Sequence, residues 1–276
     1  MEPAAPTAPD ADHRAVRAEL GASRPLLLDV VHCEWTKLWS VRSTYWALLA
    51  TAAALVSLAA VFPATGPPAP PDPTAYGLSG FFQAQLGAAV LGVLAITSEY
   101  ATGSIRATLA ATPQRVTVLS AKTIVVAGIT TVVGVASAFL AFLVAAQVFA
   151  GQGISIALTD PGALRAVIGA GLYLAVVAVL ALALGVLFRS SVGTIAAVVA
   201  LMLVVPGIAT ALPGAWQDTV VPYLPAAAGQ AIIGQTRFAA PGPHLLAPWT
   251  GFAILCAYTA VALTAAAVTL STRDSC

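Results

Sequence analysis

Charge is scarce in this chain: Asp, Glu, Lys and Arg together make up 8% of it, where a soluble globule carries about a quarter. So few charges exclude a soluble globular surface. With 59% hydrophobic residues over 276 positions and a mean hydropathy of +0.91, the composition is that of a polytopic membrane protein. The net charge is only +1, which lacks the basic patch or stripe of a nucleic-acid binder. Cysteine is equally sparse: Cys33, Cys256 and Cys276 are odd in number, scattered and without metal-ligand spacing. Neither a disulfide framework nor a metal site is expected, and the thiols read as small apolar residues.

Chemistry-bearing residues are also missing. Lysine occurs only at Lys37 and Lys122, preceded by Thr36 and Ala121, so there is no Gly-Lys-Ser/Thr phosphate loop. His13, His32 and His244 all fall outside the apolar runs and none begins a His-Glu-x-x-His motif. The chain therefore reads as no enzyme in itself, with no cofactor of its own.

What is present is a set of apolar runs near the ~20 residues a bilayer requires. They predict six transmembrane helices at about 45–62, 81–97, 123–149, 166–188, 192–212 and 249–270, an all-α membrane protein with both termini on one side. Residues 1–25, rich in Ala and Pro, read as a disordered tail and not as a signal peptide; 26–276 form the membrane domain. Ten of the twelve basic residues (Arg14, Arg17, Arg24, Lys37, Arg42, Arg106, Arg115, Lys122, Arg189 and Arg273) fall on the side of the termini, against Arg165 and Arg237 opposite. The positive-inside rule puts that side in the cytoplasm. Every charge is expected at or beyond a helix end, which leaves no buried carboxylate for ion coupling.

Ahead of the first run, Leu27, Leu28, Val31, Trp35, Leu38 and Trp39 fall on one helical arc, with Asp29, Thr36, Lys37 and Ser40 opposite and Arg42 at the end. Such a helix suits the plane of a membrane interface, in contact with lipid; an ordinary amphipathic helix packed on a core is the alternative. Between the second and third runs, 98–122 combines Glu99, Arg106, Arg115 and Lys122 with Ile105 and Leu109, which share a face if 103–111 is helical. Gly103 reads as a hinge or close-approach point, and Thr112 as an N-cap with Pro113 at the first helical position. The same charges equally suit a solvated loop obeying the positive-inside rule.

Further on, Pro206 with Gly207 predicts a bend in the fifth span. Residues 225–234 read as a short outer helix ending at Gly234 and carrying Gln230, or equally as a surface loop. Trp216, Tyr223 and Trp249 fit an aromatic belt, and the pairs Gly134/Ala138 and Gly193/Ala197 suit close helix contacts.

Three stretches together, HCEWTKLWSVRSTYWALL, EYATGSIRATLAATPQRVTVLSAK and YLPAAAGQAIIG, resemble the permease subunits of bacterial ABC transporters of the type 2 exporter branch. The resemblance covers about 26–270. It implies a plasma (inner) membrane location and a cytoplasmic coupling helix between spans two and three, docked into a separate ATP-binding subunit that supplies ATP and Mg. It also implies a second permease copy or homologue, and an outer connection that dips toward the bilayer at an exit. Glu99, Gly103, Ile105, Arg106, Leu109 and Arg115 are then expected at the partner contact. Trp35, Lys37, Leu38, Trp39 and Arg42 are expected on the interfacial helix, and Pro206, Gly207 and Gln230 at the exit gate. The expected cargo is amphipathic or hydrophobic. An ion-coupled carrier or channel acting alone, and a non-transporting scaffold or sensor, are the alternatives.

Overall fold

A computed structural model of the chain describes residues 27–67, 70–104, 108, 114–209, 211, 213, 219–234 and 246–272. Among these, all regular structure is helical, and six helices are long and apolar enough to cross a membrane. In chain order they follow a preceding helix α1 (Leu27–Ser40). They are α2 (Arg42–Thr65), α4 (Phe81–Thr102), α5 (Arg115–Ala150), α6 (Ala163–Phe188), a composite helix Ser191–Ala209, and α10 (Pro248–Thr272). Short α3 (Pro73–Gly77) and α9 (Pro225–Gln230) lie in the connections. The composite helix consists of α7 (Ser191–Val199), a π turn (Ala200–Val204) and α8 (Val205–Ala209).

α6 is the central post. Of its apolar stretch 72% is buried, against 28% for α10 and for Ser191–Ala209, so the other spans wrap it and leave their outer faces exposed. Small residues allow that wrapping. A Cβ at Gly92 of α4 would lie 1.9 Å from the Ala178 carbonyl oxygen of α6, and one at Gly134 of α5 would lie 3.0 Å from Gly171 Cα. Gly134 thus packs within the bundle.

α1 joins α2 through a single extended residue, Val41 (φ −102°, ψ 123°). The corner is stapled: the Thr44 hydroxyl donates to the Leu38 carbonyl at 2.7 Å and the Tyr45 hydroxyl to the Trp39 carbonyl at 3.0 Å. At the same end of the bundle, Arg115 at the start of α5 donates to the Leu270 carbonyl in the last turn of α10 at 2.6 Å. The first and last described helices therefore share one end, as an even number of crossings requires.

Several boundaries differ from the hydropathy reading. α4 continues to Thr102 and α5 begins at Arg115, so 98–102 and 115–122 are turns of the two spanning helices. Hydropathy finds the apolar part of a helix, not its hydrogen-bonded ends. Gln114, just ahead of α5, is non-helical (φ −79°, ψ 84°); Thr112 and Pro113, expected to start that helix, lie outside the described residues. The 225–234 helix is shorter than expected, running from Pro225 to Gln230 with Gly234 at φ +95° after it. It is not a surface loop: Pro225 to Ile233 are all buried.

Candidate functional site

The site is built where α1, α4 and α5 meet. α1 lies along α5 with Val30 and Val31 against Val118 and Ala121, so Glu34, one turn beyond Val30, is drawn to the same seam. Lys122 sits one turn beyond Val118 on the facing side of α5. Glu99 lies in the last turn of α4, where the helix already exposes unpaired carbonyls. A carboxylate there opposes the macrodipole and requires a cation.

Two cations supply it. The Lys122 ammonium is 2.5 Å from Glu34 Oε2 and 2.7 Å from Glu99 Oε1, and Lys37 is 2.8 Å from Glu34 Oε1 and 3.4 Å from Glu99 Oε1. Lys122 also donates to the Ala95 carbonyl at 3.3 Å, and Lys37 to Thr108 Oγ1 at 3.2 Å. Glu34, Glu99 and Lys122 are buried, at 4%, 8% and 3% exposure, so these are charge-assisted bonds in a poorly screened setting. Lys37 is half-buried. Burial disfavours its ammonium, but the hydrogen bond and charge of Glu34, with the charge of Glu99, outweigh it and hold its pKa above the ordinary 10.5.

This corrects one expectation. Charges do not all sit at or beyond helix ends: Lys122 lies two turns inside α5, neutralised across the seam by Glu99 in the last turn of α4. Lys37, on the polar side of α1 as expected, is bonded to Glu34 and Glu99. The packed face of α1 carries Val30 and Glu34, while Leu27, Leu28 and Trp35 are exposed, so the apolar arc of the wheel is divided between protein and the outer surface.

The remaining expected residues separate into groups. Trp35 stacks edge-on to Trp39 at 5.8 Å, and Trp39 on Tyr45 at 5.2 Å. Leu38 packs inward and Arg42 opens α2, exposed. Gly103 ends α4 in the left-handed region (φ +71°), and no atom lies within 4 Å of where its Cβ would be. Its requirement is conformational, that of a helix C-terminal glycine, and not close approach. Arg115 is turned onto Leu270. Ile105, Arg106 and Leu109 lie outside the described residues, as does Trp216; Tyr223 and Trp249 are exposed at the far end.

At that far end Pro206 is buried and Gly207 has open space beside it. Ahead of them the Val205 N–H bonds the Ala200 carbonyl five residues back, a π turn of the kind that interrupts helices at functional sites. Nearby, Tyr173 of α6 donates to Gln85 of α4, and Gln230 of α9 lies beside Tyr173, all three enclosed. Gly229 and Gly251 admit α9: a Cβ at Gly251 would lie 2.3 Å from the Ala228 carbonyl.

Glu34 and the burial of Lys122 are absent from the sequence reading. The signals were the Glu34/Lys37 pair three apart on one helix and the shared face of Val118, Lys122 and Val125. No family model matches the chain, and no curated protein matches its sequence.

Proposed function

We propose that this chain is the membrane-spanning permease subunit of an ATP-driven ABC exporter in the bacterial inner membrane, with the α1 end in the cytoplasm. One observation carries the reading: the Glu34–Lys37–Glu99–Lys122 cluster clamps the interfacial helix to both helices that flank 103–114. α1, α4 and α5, joined in this way, would move as one body. A separate ATP-binding subunit docked on Ile105 and Leu109 would shift that unit as it closes and opens. Two permease copies, or this chain and a homologue, would part between them a path for an amphipathic or hydrophobic compound. The π turn before Pro206 and the buried α9 supply a deformable outer end where an exit would form. ATP and Mg belong to the partner.

The test is co-purification of the tagged chain from its native membrane, with ATPase activity assayed on the wild type and on Ile105→Asp/Leu109→Asp. The wild type is expected to bring down an ATP-binding subunit and the folded variant to lose it. Absence of any ATPase with the wild type, or full retention by the variant, overturns the proposal.

A second reading, an ion-coupled carrier, is favoured by the buried Lys122–Glu99 pair, which joins α5 to the last turn of α4 and so sets an ionisable pair at the edge of the spans. Transport by vesicles containing this chain alone, driven by an ion gradient and abolished by Glu99→Gln, would select it.

A further inference from the structure

The four ions wall one side of a cavity of 370 Å³ between α1, α2, α4 and α5, within the range of about 300–1,000 Å³ typical of small-ligand sites. The ammonium donors there are all committed. Lys122 uses its N–H donors on Glu34, Glu99 and Ala95. Lys37 uses its own on Glu34, Glu99 and Thr108. An ammonium has only three donors, so neither lysine retains one for an incoming group. The lining hydroxyls of Ser40, Thr44 and Ser98 donate to the carbonyls of Lys37, Leu38 and Leu94, which leaves them only lone pairs to offer.

Glu99 stands apart. Its residue is 8% exposed, and its second carboxylate oxygen, Oε2, is buried without a hydrogen-bond partner. A buried charged acceptor left unmet is costly and marks a place for a donor. The two lysines have no N–H left for an anion, whereas Glu99 Oε2 is a carboxylate oxygen without a partner, which an ammonium meets once the carboxylate turns toward the cavity. The cluster as it stands is neutral, two carboxylates against two ammoniums, so the incoming charge meets no net repulsion. Leu91, Leu94, Val125 and Val126 supply apolar lining.

We propose that this cavity binds a primary amphipathic amine, its ammonium on Glu99 Oε2 and its hydrocarbon chain against Leu91, Leu94 and Val125. The inference rests on the exporter reading only in making that amine the cargo; binding is a property of this chain alone. It narrows the expected cargo from any apolar compound to a cationic one.

The test is binding of radiolabelled decylamine to the full chain in phosphatidylcholine nanodiscs, above the background of empty discs. Saturable binding is expected, displaced by unlabelled decylamine and not by decanol. Glu99→Gln removes the charge and weakens binding about tenfold to a hundredfold. Ser98→Trp fills the cavity while leaving all four ions in place, and weakens binding as strongly. If Glu99→Gln does not fold, Ser98→Trp decides alone. Phosphatidylethanolamine added to the discs separates two sources of the same ammonium: displacement of decylamine assigns the site to the lipid headgroup, and no displacement assigns it to a free amine. Unchanged binding in a folded variant, or displacement by decanol as effective as by decylamine, overturns the proposal. Loss of the site with an ATP-binding subunit still co-purifying leaves the exporter reading intact, and amine binding without any such subunit leaves the site intact without it.

Discussion

Replacing Lys122 by Met keeps the length and volume of the side chain and removes only its charge and donors. In the native cluster Lys122 is the nearest cation to Glu99, at 2.7 Å, and sits 2.5 Å from Glu34. After the change Glu34 keeps Lys37 at 2.8 Å, whereas Glu99 keeps only a Lys37 contact at 3.4 Å and remains at the carbonyl end of α4. Breaking a buried ion pair costs about 3–5 kcal/mol when the partner charge is stranded. The remaining lysine shares the load, which places this case near the lower figure. Lys37→Met is the comparison. With 39% of its side chain exposed, its pairs are screened and their loss costs about 1 kcal/mol or less. At about 2–4 °C per kcal/mol for a chain of this size, Lys122→Met lowers the thermal midpoint by roughly 6–12 °C and Lys37→Met by at most about 4 °C. Both are read by circular dichroism in one detergent at neutral pH. Adding Glu99→Gln to Lys122→Met removes the stranded charge and recovers part of the loss. Equal shifts for the two lysines, or no recovery in the double variant, would refute the assignment of Lys122 as the buried cation.

Gly92→Ala drives a methyl to within 1.9 Å of the Ala178 carbonyl oxygen and destabilises by about 1–3 kcal/mol, whereas Gly128→Ala, with nothing within 4 Å, gains about 0.5–1 kcal/mol of helix propensity; thermal midpoints moving in the same direction would count against the α4–α6 contact. The raised pKa of Lys37 means that its contribution is present in full below 10.5 and is lost as pH rises through the higher folded value. Fluorescence of Trp35 and Trp39 is expected to change only in that alkaline window, and Lys37→Met is expected to lack the step. Thr108, within 103–114, accepts from Lys37; if the proposed ATP-binding subunit docks on that segment, decylamine should change the affinity for it, and that subunit the affinity for decylamine, by the same factor. Independence of the two affinities in titrations would remove the link.

The spans were legible because each is an apolar run bounded by proline, glycine or charge, and that pattern follows directly from what lipid tolerates. Hydropathy placed α6 among the other spans but did not make it the post; its share of burial is a property of its neighbours. The helical wheel found α1 but not its bonding, since a wheel sorts residues by polarity and cannot tell a lysine in water from one bonded to Glu34 and Glu99. In the sequence Lys122 reads as the last residue before an apolar block for a related reason. A charge lowers the window average wherever it stands, so a cation neutralised by another helix looks like a helix end. The stretch before α10 was ambiguous because PAAAGQAIIG is too short to span and too apolar to read as exposed. Only the close passage of Gly229 and Gly251 shows that it is inside.

The two ends of the bundle hold different kinds of buried polarity. At the α1 end the groups are fully charged and joined by a chain of ion pairs that crosses three helices, so displacing any one of the helices separates opposite charges in a poorly screened place. Such a cluster resists gradual distortion and favours moving as a block. At the other end Gln85, Tyr173 and Gln230 are neutral, and a π turn interrupts the helix that leads to Pro206. Neutral hydrogen bonds are worth about 0.5–1.5 kcal/mol each, well below the cost of breaking a buried ion pair. The α1 end is therefore the costlier of the two to distort, although Asp72 and Arg165 bring charge beside Gly234 at the far end. Under the exporter proposal, that difference would let force enter at the α1 end while a path opens at the other.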